Sequence, residues 1–310
     1  MQSALPSKLP PAPPGQTGWM WAVVPNPTPS ANLETHLYPK LSIVTPSYNQ
    51  GNYLEKTIRS VLLQGYPNLE YIVIDGGSTD NSVEIIKKYE PWLTFWKSEK
   101  DRGQSHAINK GFQQATGKIF GWINSDDYYY PQAFNDVAQC FLEHPDAGAV
   151  VGGGDMFYEA GNRLLQVESF EVTLDSLYNF LHKFFMQPSC FFKQEVWNEC
   201  GPLDENLQLA MDLDLWLKIV KKQKFALTNK NLSCSLVHGS AKTTALAAES
   251  YATAILVIYS HGGVKEAREQ ITEFVERGVF SSHEFSSLKM LPIRAYLKAL
   301  KFFSSIRRRY

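Results

Sequence analysis

Residues 40–80, KLSIVTPSYNQGNYLEKTIRSVLLQGYPNLEYIVIDGGSTD, contain the signals that decide the fold. The apolar, partly β-branched run at 41–44 is stopped by Pro46, which predicts a buried strand that ends in a loop. Apolar side chains then recur at helical spacing across 52–64, and the run at 69–75 predicts a second strand that enters a glycine turn. This strand–helix–strand order predicts two parallel strands with the helix packed against them.

The same alternation continues beyond this unit. Strands are predicted at 93–98 and 118–124, with a helix at 103–117 between them and another helix that begins at Pro131. We therefore expect an α/β fold with a mostly parallel, Rossmann-like sheet flanked by helices. Ligands bind such sheets outside the carboxyl ends of the strands. Three of these ends carry polar clusters, at 45–49, 75–80 and 124–127.

The remaining segments have different compositions. Residues 1–38 are rich in proline and predict an irregular arm, which Trp19 and Trp21 would hold against the body. Residues 246–310 predict a helical extension with a basic tail. Between these ends, a helix is predicted at 211–223, and strands are predicted at 147–158, 163–170, 224–229 and 232–239.

Bulk composition excludes several classes of protein. The 310 residues are 44% apolar, enough for a sizeable core, and the net charge of −1 gives no general attraction to nucleic acid. The four cysteines lack metal-ligand spacing and predict free buried thiols in a reducing compartment. No secretory signal or run of about 18 apolar residues is visible. We therefore expect a cytoplasmic protein with no nucleic-acid partner.

Adjacent aspartates follow the fourth predicted strand, in the stretch GWINSDDYYYP at 121–131. Like charges side by side cost free energy unless a cation lies near them. Mg²⁺ and Mn²⁺ take oxygen ligands, often one or two carboxylates together with substrate phosphates. Asp126 and Asp127 therefore fit a metal site. The alternative is an ordinary turn with a capping aspartate before the helix that begins at Pro131.

Four segments in this order resemble the family 2 glycosyltransferases of the GT-A fold. They are residues 41–86, DRGQSHAINKGFQQATG at 101–117, WINSDDYYYP at 122–131 and MDLDLWLK at 211–218. The similarity runs from about residue 40 to about residue 243, roughly two thirds of the chain. Four motifs in the same order are far more specific than any one of them.

The resemblance implies an enzyme that transfers a sugar from a nucleoside-diphosphate donor to a hydroxyl acceptor. It implies inversion at the anomeric carbon, a bound Mg²⁺ or Mn²⁺, and a place in polysaccharide or glycolipid biosynthesis. The catalytic domain would cover residues 39–245, with a nucleotide-binding half at about 39–130 and an acceptor half at about 131–245. A saccharide or a lipid-linked sugar is the expected acceptor.

By resemblance, the nucleotide would lie over the first two strand ends, with Asp75 accepting a hydrogen bond from the base ring. The second acidic residue that the family usually carries after this strand is Gly76 here. Arg102 could contact the nucleotide, and an ordinary surface arginine is the alternative. The nucleotide-sugar contacts implied by the resemblance are Thr45, Pro46, Ser47, Tyr48, Asn49, Asp75, Gly77, Arg102, Gln104, Asn124, Ser125, Asp127, Gln187 and Lys242.

The family's Asp-x-Asp metal motif corresponds to Asn124, Ser125 and Asp126 in this chain. Asp126 takes the metal-ligand position, while Asn124 brings no charge but can still hydrogen-bond a ribose or phosphate. Asp127 would support the donor sugar or the metal site. His238, after the last strand, corresponds to a histidine that helps to hold the metal or diphosphate, and a purely structural histidine is the alternative.

The candidate base is Asp212, because the family places it as the second residue of an acidic pair where a helix begins. Met211 replaces the first acid of that pair. An inverting transfer needs one carboxylate to take the proton of the acceptor hydroxyl. The alternative is that Asp212 has no catalytic role and is favoured at this position only by the helix dipole. Gln187 is the best polar candidate in MQPSCFF (186–192), which would line the donor-sugar or acceptor pocket.

Two other functions are weighed against this interpretation. A sugar nucleotidyltransferase would carry a glycine-rich, basic loop after the first strand, whereas TPSYNQGNY at 45–53 has one glycine and no lysine or arginine. A non-catalytic nucleotide-sugar-binding protein is favoured by Asn124 and Met211, since two usual acids are missing. The basic, apolar segment at 289–309 could contact an anionic membrane, or dock as a helix with a solvated tail.

Overall fold

In the computed structural model, which describes residues 9–21 and 38–277, the strand–helix–strand unit forms as the sequence predicts. Strand β1 (Leu41–Ser47), helix α1 (Leu54–Leu62) and strand β2 (Leu69–Asp75) follow one another. The two strands are parallel, with Leu41 opposite Leu69 and Ser47 opposite Asp75. Equal strand lengths and this register bring both carboxyl ends to one edge of the sheet.

The later elements follow in chain order. They are α2 (Ser82–Tyr89), β3 (Phe95–Ser98), α3 (Gln104–Gln114), β4 (Ile119–Trp122), β5 (Tyr128–Tyr129), α4 (Ala133–Glu143), β6 (Ala147–Tyr158), β7 (Arg163–Val167), α5 (Leu174–Tyr178), β8 (Cys190–Lys193), α6 (Gln194–Cys200), α7 (Met211–Val220), β9 (Lys224–Val237), α8 (Lys242–Ala245), α9 (Ala247–Ser260) and α10 (Val264–Glu276). Within the predicted helical extension at 246–310, the described residues form α9 and α10.

The sheet has the strand order β3-β2-β1-β4-β8-β6-β9-β5, and β7 pairs with β6 beside this path. The first four strands are parallel, as predicted. From β8 onward the sheet is mixed, because β8 runs antiparallel to both β4 and β6 while β9 runs parallel to β6. Apolar periodicity predicts that a strand is buried but not its direction, so the sequence could not predict this mixed half.

The segments predicted as two strands at 224–229 and 232–239 form the single strand β9. It follows β6 through three register shifts, and a side chain at any of Gly152, Gly153 or Gly154 would meet a backbone carbonyl within 2.9 Å. The three glycines therefore permit the close, irregular pairing of β6 with its neighbours. The GGG run is a feature of sheet packing.

Helices cover both faces of the sheet, and alternate strand residues feed two cores. Ile43 belongs to the core beneath α1, α2 and α4. Val44 belongs to the core beneath α3, α6, α7, α9 and α10. All seven residues of β1 are buried, which explains why the adjacent apolar residues Ile43 and Val44 can point to opposite faces of the sheet.

Several smaller predictions have clear outcomes. All four cysteines are free and buried, as predicted. Helix α4 begins two residues after Pro131, because Gln132 adopts a left-handed conformation with φ of 70°. The basic segment at 289–309 lies outside the described residues. Within residues 9–21 and 38–277, the helices are too short or too polar to cross a bilayer.

The N-terminal arm contacts the body through a buried arginine on α1. Arg59 is 3% exposed, and its guanidinium donates to the Pro10 carbonyl at 2.7 Å and the Met20 carbonyl at 2.6 Å. It also donates to the Tyr89 hydroxyl at 3.0 Å and lies 5.1 Å from the Trp21 ring. Because arginine can donate five hydrogen bonds in a fixed plane, one side chain fastens two parts of the arm.

Replacing Arg59 with alanine should lower the free energy of unfolding by about 2–4 kcal/mol, because buried carbonyls lose their donors and a cation–π contact is lost. Urea unfolding measures this change. Arg277→Ala is the control, since the Arg277 side chain is 65% exposed and pairs with Glu273, four residues earlier in the chain. The control should change stability by less than about 0.5 kcal/mol. Equal effects from both variants would contradict the role given to Arg59.

Candidate active site at the carboxyl edge of the sheet

The polar loops that follow β1 and β2 contact each other directly. The Gly76 N–H donates to the Ser47 carbonyl at 2.8 Å. The backbone N–H of Asn49 donates to the Ser78 hydroxyl at 2.8 Å, and the Asn49 side chain accepts from the Thr79 N–H at 2.8 Å. The loops after β1 and β2 therefore meet at the carboxyl edge of the sheet, where the sequence predicts the ligand site.

Asp75 lies at the centre of this edge with its carboxylate fully buried. It accepts from the N–H groups of Gly77 and Ser78 and from the hydroxyls of Ser78 and Ser98. Gly77 has φ of 83°, a conformation that glycine adopts without strain, which lets the turn fold back onto the carboxylate. Three of these donors share Oδ2 and one reaches Oδ1, so the remaining acceptor capacity of the carboxylate lies at Oδ1. The contact between Asp75 and a base stays a prediction.

The position of the missing family acid, Gly76, is filled by another carboxylate. A side chain built at Gly76 would lie 2.8 Å from Asp101 Oδ2. Asp101 itself accepts from the Gly103 N–H at 2.8 Å. Asp101, in the loop before α3, therefore brings a carboxylate close to the position where the family usually has an acidic residue and this chain has Gly76.

The residues predicted to line a nucleotide differ in access. Thr45, Pro46 and Ser47 are buried, and the Thr45 hydroxyl lies 3.0 Å from the Tyr71 hydroxyl. Tyr48 is 60% exposed, and Asn49 is also exposed. A flat, exposed ring at a strand end can stack on a base, whereas the three buried side chains can act only by shaping the backbone beneath it.

Asp126 and His238 meet across the loops that follow β4 and β9. His238 Nε2 lies 3.0 Å from Asp126 Oδ2, and the His238 side chain is 1% exposed, against 16% for that of Asp126. The two residues are 112 positions apart in the chain. Their contact depends on β9 ending beside β5 and the loop that carries Asp126.

The second aspartate of the pair points away from this contact. Asp127 is 5% exposed, and its carboxylate accepts from the Leu236 N–H at 3.2 Å and from Asn124 Nδ2 at 3.3 Å. Burial, followed by the adjacent charge of Asp126, raises the pKa of the Asp127 carboxyl. The two carboxylates therefore have different hydrogen-bond partners, although the charge of Asp126 still acts on Asp127.

A chain of side-chain contacts links this loop to α3 and α8. Gln104 Nε2 donates to Asn124 Oδ1 at 2.7 Å, and the Lys242 ammonium donates to Gln104 Oε1 at 3.3 Å. Ser125, between the linked residues, is buried. The structure therefore brings together Gln104, Asn124, Asp127 and Lys242, which the sequence could place only near the same edge.

Arg102 is directed elsewhere. Its guanidinium forms an ion pair with Glu205, in which Nε donates at 2.9 Å, and its side chain is 67% exposed. In the described structure Arg102 therefore lies as an ordinary surface arginine would. A nucleotide contact from Arg102 stays a prediction that would need this pair to open.

Asp212 reaches the same edge through β8 and α7. Strand β8 runs antiparallel to β4 with Phe192 opposite Phe120, so the first residue of β8, Cys190, lies at the carboxyl end of β4. Burial raises the pKa of the Cys190 thiol, and the charge of Asp212, the second residue of α7, raises it further. Helix α7 is held there by Trp216, whose ring stacks on that of Trp122 at 5.4 Å.

Gln187 occupies the neighbouring turn. Its Nε2 donates to the Trp122 carbonyl at 3.0 Å, and its Oε1 is buried without a hydrogen-bond partner among the described residues. The amide is therefore oriented by the end of β4, with one acceptor available. Gln187 therefore lies at the end of β4, the strand that precedes the loop with Asp126.

The electrostatics of Asp212 suit a proton acceptor. Desolvation raises the pKa of its carboxyl above the ordinary value of 3.8, while the N–H of Leu213, at 2.9 Å, favours the charged form and opposes the shift. A raised pKa gives a carboxylate greater proton affinity. The neighbouring acid Asp214 is different, because it pairs with Lys218 at 2.7 Å and His261 at 2.8 Å and serves the packing of α7 against α9.

The residues present fit a divalent ion with few protein ligands. An octahedral ion with bonds of about 2.1 Å has adjacent ligand atoms about 3.0 Å apart. The separation of Asp126 Oδ2 and His238 Nε2 is 3.0 Å. No group of three or more histidine, cysteine or acidic side chains that could hold a metal occurs among the described residues. Such an ion would complete its shell with substrate phosphates and water, as Mg²⁺ usually does.

Sequence analysis missed three residues around this pair. Tyr53 stacks on the His238 ring, Ser240 hydrogen-bonds its Nδ1, and Glu159 accepts from the Tyr53 hydroxyl. Ser240 could have been suspected from its place two residues after His238. The sequence gives no sign that Tyr53 and Glu159 contact His238. Tyr53 directly precedes α1 and Glu159 directly follows β6, and the sequence does not show that these elements are neighbours of β9.

Comparison with known proteins identifies the family to which this chain is similar. The model of the family described as glycosyl transferase family 2 matches residues 42–199. An uncharacterised glycosyltransferase of Rickettsia prowazekii is 30% identical over 220 residues, which cover 68% of both chains. Chondroitin synthase of Pasteurella multocida is 28% identical over 217 residues, which cover 68% of this chain and 22% of the synthase. The chain therefore spans about two thirds of the first relative and about a fifth of the second.

The fold also matches a solved structure. The crystal structure of TarS residues 1–349 from Staphylococcus aureus, in complex with UDP-GlcNAc, has a TM-score of 0.58 and 21% identity. The match covers 82% of this chain and 78% of that one. At this identity the likeness bears on the fold, and it confirms the predicted GT-A type of sheet. With the family model covering half of the sequence, these findings confirm the predicted enzyme class: the chain belongs to glycosyl transferase family 2.

Proposed function

We propose that this chain transfers a sugar from a nucleoside-diphosphate sugar to a hydroxyl group of a saccharide or lipid-linked acceptor, with inversion and with Mg²⁺ or Mn²⁺. The synthesis of a polysaccharide or glycolipid is the proposed setting. The observation that carries the proposal is the Asp126–His238 pair, 3.0 Å apart, on the sheet edge that also holds Asp212. The TarS complex with UDP-GlcNAc and the name of the Pasteurella synthase support the donor and the setting.

On the donor side, the loops after β1 and β2 would hold the nucleotide. Tyr48 and Asn49 offer exposed groups there, and the Asp75 network keeps the turn beneath them rigid. Asp126 and His238 would hold the metal, which, when bound, neutralises charge on the departing diphosphate. Lys242, linked through Gln104 to Asn124, brings a positive group to the same side.

On the acceptor side, Asp212 would take the proton from the incoming hydroxyl as its oxygen attacks the anomeric carbon. Attack from the face opposite the leaving group inverts that carbon. Gln187 would orient the sugar or the acceptor with its free amide oxygen. The nucleotide would thus be held mainly by the half at about 39–130 and the acceptor mainly by the half at about 131–245, with His238 and Lys242 of the second half reaching the donor side.

A thermal-shift panel tests the donor proposal. UDP, GDP, dTDP and CDP, each with and without Mn²⁺, should include one nucleotide that raises the melting temperature more when Mn²⁺ is present. A ligand at about 100 times its Kd stabilises the folded state by about 2.7 kcal/mol. The panel with the corresponding sugar nucleotides should show the same base preference. No shift with any of the four nucleotides would contradict the proposal.

Donor hydrolysis then separates an enzyme from a non-catalytic binding protein. The wild-type chain, incubated with the preferred sugar nucleotide and Mn²⁺, should release free sugar slowly, because water can replace the acceptor. Saturable binding without sugar release, unchanged by Asp212→Asn, would favour the binding protein. The family match favours the enzyme.

The rate of transfer should fall on the acid side at a higher pH than an exposed aspartate would give. Asp212 must be ionised to accept a proton, and burial raises its pKa above 3.8. Below that raised pKa, kcat/KM should decrease about tenfold per pH unit. The profile is measured at saturating Mn²⁺, so that loss of metal does not set the acid limb. A limb centred at or below 3.8 would contradict the role of Asp212.

A further inference from the structure

The imidazole of His238 is enclosed on its face by an aromatic ring. The Tyr53 and His238 ring centroids are 4.5 Å apart, and the rings are tilted by 34°. The His238 side chain is 1% exposed, so this contact replaces water over much of the ring. Tyr53 therefore limits how far the imidazole can tilt or rotate away from Asp126.

Both nitrogens of the same imidazole are engaged. Nε2 lies 3.0 Å from Asp126 Oδ2, and Nδ1 lies 2.9 Å from the Ser240 hydroxyl. A hydroxyl can donate or accept, so Ser240 can serve the imidazole with the proton on either nitrogen. With the proton on Nδ1, Ser240 accepts it and the lone pair of Nε2 is free for a metal. A metal-binding histidine almost always uses its other nitrogen in this way.

Tyr53 is fixed in turn by the end of β6. Its hydroxyl donates to Glu159 Oε1 at 2.8 Å, and the Glu159 N–H donates to the Val237 carbonyl at 3.3 Å. Val237 is the residue before His238. The start of α1, the end of β6 and the end of β9 therefore form one connected support around the imidazole.

We propose that Tyr53 and Ser240 are positioning residues that hold His238 Nε2 towards Asp126 and so set the affinity of the divalent-metal site. The inference rests on the proposed function, because it assumes that the pair binds a metal. Neither residue contacts the metal in this proposal. Loss of partners behind a metal ligand typically weakens binding by about 10–100-fold.

Two substitutions at Tyr53 separate its ring from its hydroxyl. Tyr53→Leu removes the ring and should weaken Mn²⁺ binding by about tenfold or more, whereas Tyr53→Phe keeps the ring and should change it less than about threefold. Ser240→Ala removes only a hydroxyl and should weaken binding by about tenfold. Tyr53→Met replaces the leucine variant if that variant does not fold, because methionine also lacks the ring but has an unbranched side chain of similar reach. Tyr259→Leu, at a tyrosine half exposed on α9, is the control and should have no effect.

Electron paramagnetic resonance of free Mn²⁺, titrated with UDP present, measures the affinity without any turnover. GDP, dTDP or CDP replaces UDP if the thermal-shift panel favours one of them. A second readout is the imidazole ¹⁵N chemical shift of His238 in the metal-free protein, which should change in Tyr53→Leu and Ser240→Ala but not in Tyr259→Leu.

The outcomes distinguish this inference from the proposed function. If Asp126→Ala and His238→Ala lose Mn²⁺ while Tyr53→Leu and Ser240→Ala bind it as the wild type does, the positioning roles are overturned and the metal site stands. If the wild type binds no Mn²⁺, or if His238→Ala binds it unchanged, the metal site and the positioning roles are both overturned.

Discussion

Replacing Asp212 with asparagine should lower kcat for sugar transfer by about 10²–10⁴-fold, because general base catalysis contributes a factor of this size. Asparagine keeps the shape of the side chain and can still accept a hydrogen bond from the Leu213 N–H, but it cannot take the proton of the acceptor hydroxyl. The KM for the donor should change little, since the nucleotide is proposed to lie over β1 and β2. Steady-state kinetics with varied donor and acceptor measure both parameters.

The stability of the same variant gives an independent check. A carboxyl whose pKa is raised by folding makes the folded state less stable as pH rises from the unfolded value towards the folded one. Asp212→Asn removes this cost, so at pH 7 the variant should be at least as stable as the wild type. The difference should disappear as the pH falls below the unfolded pKa. A large loss of stability at pH 7 would indicate a structural role for Asp212.

Asp214→Asn is the matched control on the same helix. Asp214 is 8% exposed and pairs with Lys218 and His261, away from the proposed proton transfer. The substitution should lower the free energy of unfolding by about 1–3 kcal/mol, because two charge-assisted contacts are weakened. It should leave kcat at 25 °C within about threefold of the wild type. A greater loss of kcat from Asp214→Asn than from Asp212→Asn would contradict the assignment of the base.

Asp126→Asn should lower kcat by about 10²–10³-fold and remove the extra thermal stabilisation that Mn²⁺ gives with nucleotide. Asparagine retains an oxygen but no charge, so the ion would be held at fewer charged ligands just where the diphosphate leaves. Metal stabilisation of a transition state is worth several kcal/mol, which corresponds to this loss of rate. The melting temperature with nucleotide and Mn²⁺, measured beside kcat, separates loss of the ion from loss of folding.

Asp146→Asn provides the comparison for this variant. The Asp146 side chain is 64% exposed and pairs with Lys224 where β6 and β9 begin, at the opposite end of those strands from His238. Its substitution should leave kcat and the response to Mn²⁺ unchanged. If Asp126→Asn kept more than a tenth of the wild-type kcat and the full response to Mn²⁺, the proposed metal site would be wrong.

The parallel half of the fold could be predicted because its signals are local. Strands β1, β2 and β4 are rich in buried apolar residues, and each is followed by a turn residue or a helix with its own periodicity. The mixed half could not be predicted in the same way. The segment that becomes β8 is short, and its antiparallel pairing with β4 and β6 depends on contacts with residues 39 to 74 positions earlier.

The site divides along the same line. Asp126 and Asp212 could be selected from their motifs, because each stands at the start or end of an element that the sequence already indicates. The contact partners of His238 could not be selected, since Tyr53, Glu159 and Ser240 come from α1, β6 and the loop after β9. The direction of Asp127 was also beyond the sequence, because the Leu236 N–H that turns it inward lies 109 residues away.

The sequence by itself determined which segments are buried, which loops end the parallel strands and which acidic residues stand in those loops. These features follow from apolar spacing, turn residues and motif order, all of which act over a few neighbouring positions. Only the tertiary structure decided that Asp126 faces His238, that Asp127 turns into the protein and that Asp212 joins the same edge through β8. Those facts depend on strand order and direction, which are set by packing energy summed over the whole sheet and not by any local pattern.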